Sequence, residues 1–550
     1  MSMAQQFRSA WFWLSLAALI VLCVFILYPV LNVLAASFGA ARADGRSGWQ
    51  VLLAEPKYLR AAANTMLLGL AVTLSAALIG VPLAFFTARY DFPGKPLIAV
   101  LPLTALVVPE VVVAQTWLMI FGNNGLVTRA MADWGYQLPG FYGWFGLITA
   151  MTFIYYSYIY MGTLAAIRGF DAQLEEAARG LGSAPAMARW KVMMPVVLPS
   201  VLASALLVFT LVVGNFAVAT ILGHKVDLLS VITYQTFVSE TGSDPVLQSA
   251  LASVSIGIVA LALFAQRWIV ARGRFEITLG RGARPARLKG LASLALAGAA
   301  LFIVAVSLLP LATVIAGAFT RARGPVMRWG DWTTANLERV LINAPDPIIN
   351  TLIFAGAATL ISVIFSVLAA YLIVKKRTLL TPAIDYLAAL PLALSGTVIG
   401  IGLVLSFNSG WLSLTGTAAI IVLAYVIRRL PFGIRNASST LYNVPNSIEE
   451  ASISLGVPPF RSFLQAVLPL MIPSIAAAAV IVWTTTVAEL SASVVVYSGG
   501  RETLPIQIFR LIDSGLTAQA SAYGLVLVSL ILVPVILATS VFRLDIFGSK

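Results

Sequence analysis

The sequence predicts an all-α integral membrane protein of about twelve transmembrane helices, built as two tandem six-helix repeats in parallel orientation. Three observations lead there. The 550 residues are 60% hydrophobic and only 10% charged, with a mean hydropathy of +0.94, whereas a soluble domain carries about a quarter charged residues. Apolar runs of about 18 residues or more, long enough to span a bilayer, recur along the whole chain. The stretch Leu174–Ser200 returns at a constant offset of 274 residues, almost half the chain length.

Residues 1–10 are polar and include Arg8, and 11–36 form the first apolar run. A cleaved signal peptide has an apolar core of about 7–15 residues. This run is longer and more spans follow, so it reads as a retained helix. Further spans of the first half are expected at 62–87, 96–121, 142–167, 194–222 and 246–271. The second half repeats the series at 291–318, 349–374, 382–407, 411–432, 468–497 and 521–543. Six is even, so both halves enter the membrane from the same side, related by an axis along the membrane normal. The expected units are a first membrane domain, 1–271, a basic linker, 272–290, and a second membrane domain, 291–550.

The linker carries Arg272, Arg274, Arg281, Arg284, Arg287 and Lys289 against Glu276 alone. Positive residues near span ends stay in the cytoplasm, which puts the linker and both termini on the cytoplasmic side. The formal net charge of +13 is then a matter of topology, and nucleic-acid binding is excluded as its cause. One cysteine, Cys23, allows no internal disulfide, and one histidine, His224, allows no histidine-based metal cluster. No GxxxxGK[ST] phosphate loop is present, so ATP chemistry has to come from a partner.

The repeated stretch is a polar island among apolar runs. Under the 274 offset Glu175, Glu176, Ala177, Leu181, Gly182, Pro185, Pro195, Pro199 and Ser200 fall on Glu449, Glu450, Ala451, Leu455, Gly456, Pro459, Pro469, Pro473 and Ser474. Ser447 with Glu450 matches a capping box, and Asp171 is the expected cap of the first copy. About two helical turns follow, then Gly182 or Gly456 at the left-handed C-terminal position. Pro185 and Pro459 should stop the helix, while Pro195 and Pro469 should open the next span. A solvated connector is the plain alternative. The fixed spacing, its duplication and the small residues at Ala177, Ala178, Ala451 and Ser452 favour a helix that another protein grips.

These residues resemble the EAA motif of the permeases of binding-protein-dependent ABC importers. The first copy reads Glu176, Ala177, Ala178, Gly182, Val192, Met194, Pro195, and the second Glu450, Ala451, Ser452, Gly456, Ala466, Leu468, Pro469. Val192, Met194, Ser452 and Ala466 depart from the motif, all by small or apolar residues, which implies slightly unequal docking of the two halves. Asn64-Thr65 and Asn350-Thr351, opening the second span of each half, are further family-like features. The resemblance implies that each island is a cytoplasmic coupling helix docking on one of two copies of an ATPase subunit, which binds ATP and magnesium; no cofactor is expected in this chain. It also implies a periplasmic or lipid-anchored binding protein as partner, residence among the lipids of the bacterial inner membrane, and a transport role without catalytic residues. The fused two-half form, with the segments Asp91–Lys95, Gly214–Gly223 and Ala488–Ser493, looks most like the ferric-iron permeases. Permeases for 2-aminoethylphosphonate, thiamine, polyamine or sulfate stay open as alternatives.

Asn215 falls on Glu489 under the same offset. Both lie about 20 residues beyond the opening proline, roughly 30 Å along a helix, toward the outer gate. Asn215, Glu489 and one or more of Thr484, Thr485 and Thr486 are therefore expected to line the outer path. Interhelical hydrogen bonding that merely holds the bundle is the alternative. Glu110, after Pro109, has no counterpart and suits a structural or interfacial place at a kink. A proton- or sodium-coupled transporter is the rival class. It needs titratable residues deep in spans, where Glu110, Glu489 and Arg267 are expected, and it leaves the islands unexplained. A membrane enzyme lacks any catalytic constellation.

Overall fold

Prolines decide where the long helices begin and where they widen. The computed structural model describes residues 9–39, 45–104, 108–238, 244–272, 285–288 and 290–540. The first half comprises α1 Ala10–Gly39, α2 Pro56–Arg89, α3 Lys95–Thr104, α4 Glu110–Phe121, α5 Trp144–Gly169, α6 Ala172–Gly180, α7 Pro185–Val213, α8 Ala217–Leu222 and α9 Pro245–Arg272. The second comprises α10 Leu291–Ala318, α11 Asp346–Val374, α12 Thr381–Ala389, α13 Gly396–Phe407, α14 Ala418–Asn443, α15 Asn446–Ser454, α16 Pro459–Val487, α17 Ser493–Val496 and α18 Thr517–Ser540. Shorter helices at Gly48–Ala54, Leu126–Asp133, Leu229–Phe237 and Leu504–Asp513 lie between these, with two short strand pairs: Tyr90–Asp91 beside Ala286–Arg287, and the hairpin of Thr320–Arg323 with Val326–Trp332.

Wide π-type turns occur at Cys23–Leu27, Arg189–Met193, Arg339–Asn343 and Phe463–Val467. Each ends two residues before a proline: Pro29, Pro195, Pro345 and Pro469. A proline lacks its N–H and its ring collides with the carbonyl four residues back. That carbonyl lies inside the widened turn every time; at Pro29, Pro195 and Pro469 the helix absorbs the ring without breaking, whereas at Pro345 the backbone leaves the helix at Ala344 and α11 starts anew. This corrects the reading of the island prolines. Pro185 and Pro459 open α7 and α16 at the first helical turn, and both helices run on through Pro195 and Pro469.

Among the described residues, nine helices are long and apolar enough to cross a membrane, or ten if the bent pair Thr381–Ala393 and Gly396–Phe407 is one span. That pair, expected as the straight span 382–407, turns by 114°. The expected span 96–121 is likewise two helices, α3 and α4, with Pro109 immediately before the second. The span expected at 411–432 forms later, as α14, because Gly410 and Gly416 hold left-handed turns at φ 95° and 81°. Helices α5 and α14 are 26 residues each but less apolar. One carries Tyr155, Tyr156, Tyr158 and Tyr160 and the other Arg428, Arg429 and Arg435. They occupy matching places: α2 packs along α5, and α11 along α14.

The first helix of each half packs on the last helix of its own repeat and also on the other half. Helix α1 meets the second half, with Trp11 edge-on to Tyr371 at 5.3 Å and Phe25 and Tyr28 against Phe407. Asn32 Nδ2 donates to Ser406 Oγ at 2.9 Å. Helix α10 packs on α3 and α4, and the Ser307 and Tyr156 hydroxyls are 2.8 Å apart. The Asn-Thr pairs of α2 and α11 do equivalent work at a shared offset of 286 residues. Asn64 Nδ2 donates to the Asp227 carbonyl at 3.1 Å and Asn350 Nδ2 to that of Glu502 at 3.0 Å. Thr65 Oγ1 accepts from Leu229 N and Thr351 Oγ1 from Leu504 N. Large apolar side chains such as Leu78, Phe264, Leu291 and Phe302 face outward, where a membrane supplies lipid. Of the basic linker, residues 273–284 and 289 lie outside the described residues.

Candidate functional site

Helix α6 begins at Asp171, whose carboxylate accepts from Gln173 N at 3.0 Å as expected. Helix α15 does not begin at a Ser447 cap. It starts one residue earlier, at Asn446, with Pro445 before it and no side-chain cap, because Pro445 is already preset for a helix entrance. Both helices end alike. Gly182 and Gly456 sit at φ 89° and 90°, and the next residue's N–H reaches back to Ala178 or Ser452.

The paired glutamates of each island point opposite ways. Glu175 and Glu449 are buried, while Glu176 and Glu450 are exposed beside exposed Ala177 and Ala451 and half-buried Ala178 and Ser452. Glu175 pairs with Arg89 at the end of α2 and with Arg189 Nε at 3.3 Å. Glu449 accepts from the Tyr371 hydroxyl at 2.7 Å and pairs with Lys376 at 2.7 Å. Nearby, Lys375 donates to the Val444 carbonyl and to Asn446 Oδ1, and burial pushes its ammonium below the ordinary lysine value. The inner glutamate thus clamps each helix to the bundle. Leu181 and Leu455, 89% and 86% exposed, cap the outward tips. Pro195 and Pro469 lie beyond, after the widened turns.

The second constellation is buried between the halves. Asn215 and Glu489, expected within the continuous spans 194–222 and 468–497, lie at breaks: α7 stops at Val213 before α8, and α16 at Val487 before α17. Each side chain accepts from the backbone N–H three residues on. Asn215 Oδ1 accepts from Val218 N at 2.9 Å and Glu489 Oε1 from Ala492 N at 3.1 Å. Asn215 Nδ2 donates to the Tyr155 hydroxyl and to Glu110, both at 2.8 Å, and Tyr155 donates to Glu110 at 2.6 Å. Glu489 is held by Arg428 Nε at 2.9 Å and Arg429 Nη2 at 2.6 Å. Under the 274 offset Tyr155 falls on Arg429, so these are one pair of positions filled twice, once neutral and once ionic.

Glu110 is therefore a member of this cluster at the break after Pro109, which fits the structural alternative and not the interfacial one. It starts α4, and the matching start of α13 is Gly396, where a Cβ would run into Arg428 Nη1, Ser491 and Ala492 N. Arg428 and Arg429 make their ion pairs with Glu489, not with Glu110. The three threonines turn their hydroxyls onto carbonyls of their own helix, and only Thr485 joins the cluster, through its carbonyl, which accepts from Arg429 at 2.5 Å. Tyr155, Arg428 and Arg429 escaped the sequence reading, which named Arg267 as the deep arginine. The signal was present: the offset maps Tyr155 to Arg429, and two adjacent arginines stand inside the apolar run 411–432. No group of three or more His, Cys, Asp or Glu suited to a metal occurs among the described residues.

With this geometry in place, comparison with known proteins is informative. The family described as binding-protein-dependent transport system inner membrane component matches residues 80–274 and again 362–544, more than half the chain and once in each half. A protein named as a probable ABC transporter permease in Sinorhizobium fredii is 28% identical over 97% of this chain and 96% of its own length. An Fe(3+)-transport system permease protein of Haemophilus influenzae is 26% identical, over 96% of this chain and 97% of its own. A protein provisionally named as a 2-aminoethylphosphonate transport system permease in Salmonella typhimurium is 28% identical over 44% of this chain and 92% of its own.

Proposed function

The chain belongs to the family of inner membrane components of binding-protein-dependent transport systems, and on that premise we propose that it supplies both membrane halves of an ABC importer for ferric iron. It is a transport subunit, a multi-pass membrane permease. Two copies of an ATPase subunit dock on α6 and α15 from the cytoplasm, where both termini lie, and they alone bind and hydrolyse ATP. Closure of the ATPases draws the two helices together. A rigid clamp is needed to pass that movement on, and the buried Glu175 and Glu449 supply it: removing one partner of a buried ion pair costs about 3–5 kcal/mol. The halves then rock about their seam, where Asn215, Glu489 and Thr485 line the outer path, and cargo from a periplasmic or lipid-anchored binding protein passes inward.

The observation that carries this reading is the duplicated surface helix with one glutamate turned in and one turned out. Ferric iron is favoured as cargo by the relative matched along its whole length. The half-length relative supports 2-aminoethylphosphonate as the alternative, with thiamine and polyamine behind it. The test is ferric-iron uptake by cells carrying the system, wild type against the Glu176→Lys, Glu450→Lys double variant, with co-purification of the ATPase followed in parallel. Loss of both supports docking and the cargo together. Equal uptake in the two strains overturns the docking role, and iron-independent behaviour of the wild type removes iron.

A further inference from the structure

Two guanidinium groups share one carboxylate at the seam, and they are not used alike. Arg429 is enclosed, its side chain 10% exposed, with Nη2 on both Glu489 and the Thr485 carbonyl. Arg428 is 24% exposed and gives Glu489 only its Nε, while its Nη1 is buried with no hydrogen-bond partner. A guanidinium has five N–H donors in a planar fork, so most of this fork is uncommitted. The first half offers no equivalent base: Ile154, buried, stands at the matching place under the 274 offset. Glu489, already shared with Arg429, is the carboxylate that Arg428 pairs with. An arginine in a membrane span costs at least about 3 kcal/mol unless it is paired or lines a polar path. The space that admits it is created by Gly396, since any Cβ there would collide with Nη1.

We propose that Arg428 is the specificity-determining residue that receives an oxyanion group of the cargo at the seam between the halves, positioned by Glu489 and Gly396. The planar fork matches carboxylate, phosphate or phosphonate oxygens two at a time. A bare trivalent cation is repelled there. The cargo that fits is a ferric ion still carrying an oxyanion ligand, or a free phosphonate, and both share this chemistry. The inference rests on the importer reading above.

The test uses the full chain assembled with its ATPase and binding protein in proteoliposomes. Two probes are supplied separately: radioiron with radiolabelled inorganic phosphate as the only oxyanion ligand, and radiolabelled 2-aminoethylphosphonate. Phosphorus is expected to enter wild-type vesicles with one of them. Arg428→Gln should lower kcat/KM for that probe about ten- to a hundredfold, the worth of a charge-assisted hydrogen bond. Arg428→Lys keeps Glu489 neutralised and should give an intermediate rate with a raised KM, which serves as the readout if the glutamine variant fails to assemble. Iron and phosphorus entering together supports the liganded ion, and 2-aminoethylphosphonate entering alone supports the free phosphonate. Iron entering without phosphorus overturns the proposal, as does unchanged uptake in both variants. Uptake of neither probe by the wild type overturns this inference together with the iron and phosphonate cargoes, while the importer reading stands or falls on the docking variants.

Discussion

The two halves hold the same pair of positions with different chemistry. In the first, Tyr155 and Asn215 meet through neutral hydrogen bonds and borrow the carboxylate of Glu110. In the second, Arg429 and Glu489 form an ion pair reinforced by Arg428, and Gly396 replaces the acid. A strictly symmetric repeat would set acid against acid or base against base across its axis, which is repulsive in a low-dielectric interior. Divergence of the copies places an acid on one side and a base on the other. The fold tolerates this because the local geometry, one side-chain oxygen on the N–H three residues on, is the same for asparagine and glutamate.

The largest effect should come from emptying the ionic position. Glu489→Ala leaves two arginines without their carboxylate and should cost about 3–5 kcal/mol, whereas Asn215→Ala, losing neutral bonds, should cost about 1–3 kcal/mol. Thermal unfolding of the purified complex ranks the two, and equal losses would erase the distinction between the halves. Conversion is the sharper test. Asn215→Asp sets a second carboxylate beside Glu110 and should destabilise by about 2–3 kcal/mol. Adding Tyr155→Arg rebuilds the second half's pair in the first and should recover most of that loss; a double variant no better than the single would show that the positions are not interchangeable. The smallest effect concerns the part of the repeat that did not diverge. Gly182→Ala and Gly456→Ala each force an alanine into the left-handed region at about 1–2 kcal/mol, and hydrogen exchange in α6 and α15 should rise equally.

The surface helices were almost wholly legible beforehand. Glu175, Gly182, Glu449 and Gly456 follow rules that act within a few residues, so spacing sufficed. The Ser447 cap failed because Pro445 was overlooked as a competing helix start. Pro195 and Pro469 do not open their helices because proline in a spanning helix can be absorbed by the turn before it, which spacing does not reveal. The seam was half legible: the offset found Asn215 and Glu489, and stopped short of asking what faces them.

By itself the sequence determined the membrane setting, the duplication and the shape of the two islands, because hydropathy, repeat offset and capping are properties of the chain read along its length. Only the tertiary structure decided which polar groups satisfy one another. Partners such as Asn215 with Glu110, or Arg429 with Glu489, lie 105 and 60 residues apart. Their meeting depends on which helices adjoin, with α1 and α10 each packed on the opposite half. A buried charge takes its energy from those neighbours and from the water they exclude, and no one-dimensional pattern carries that information.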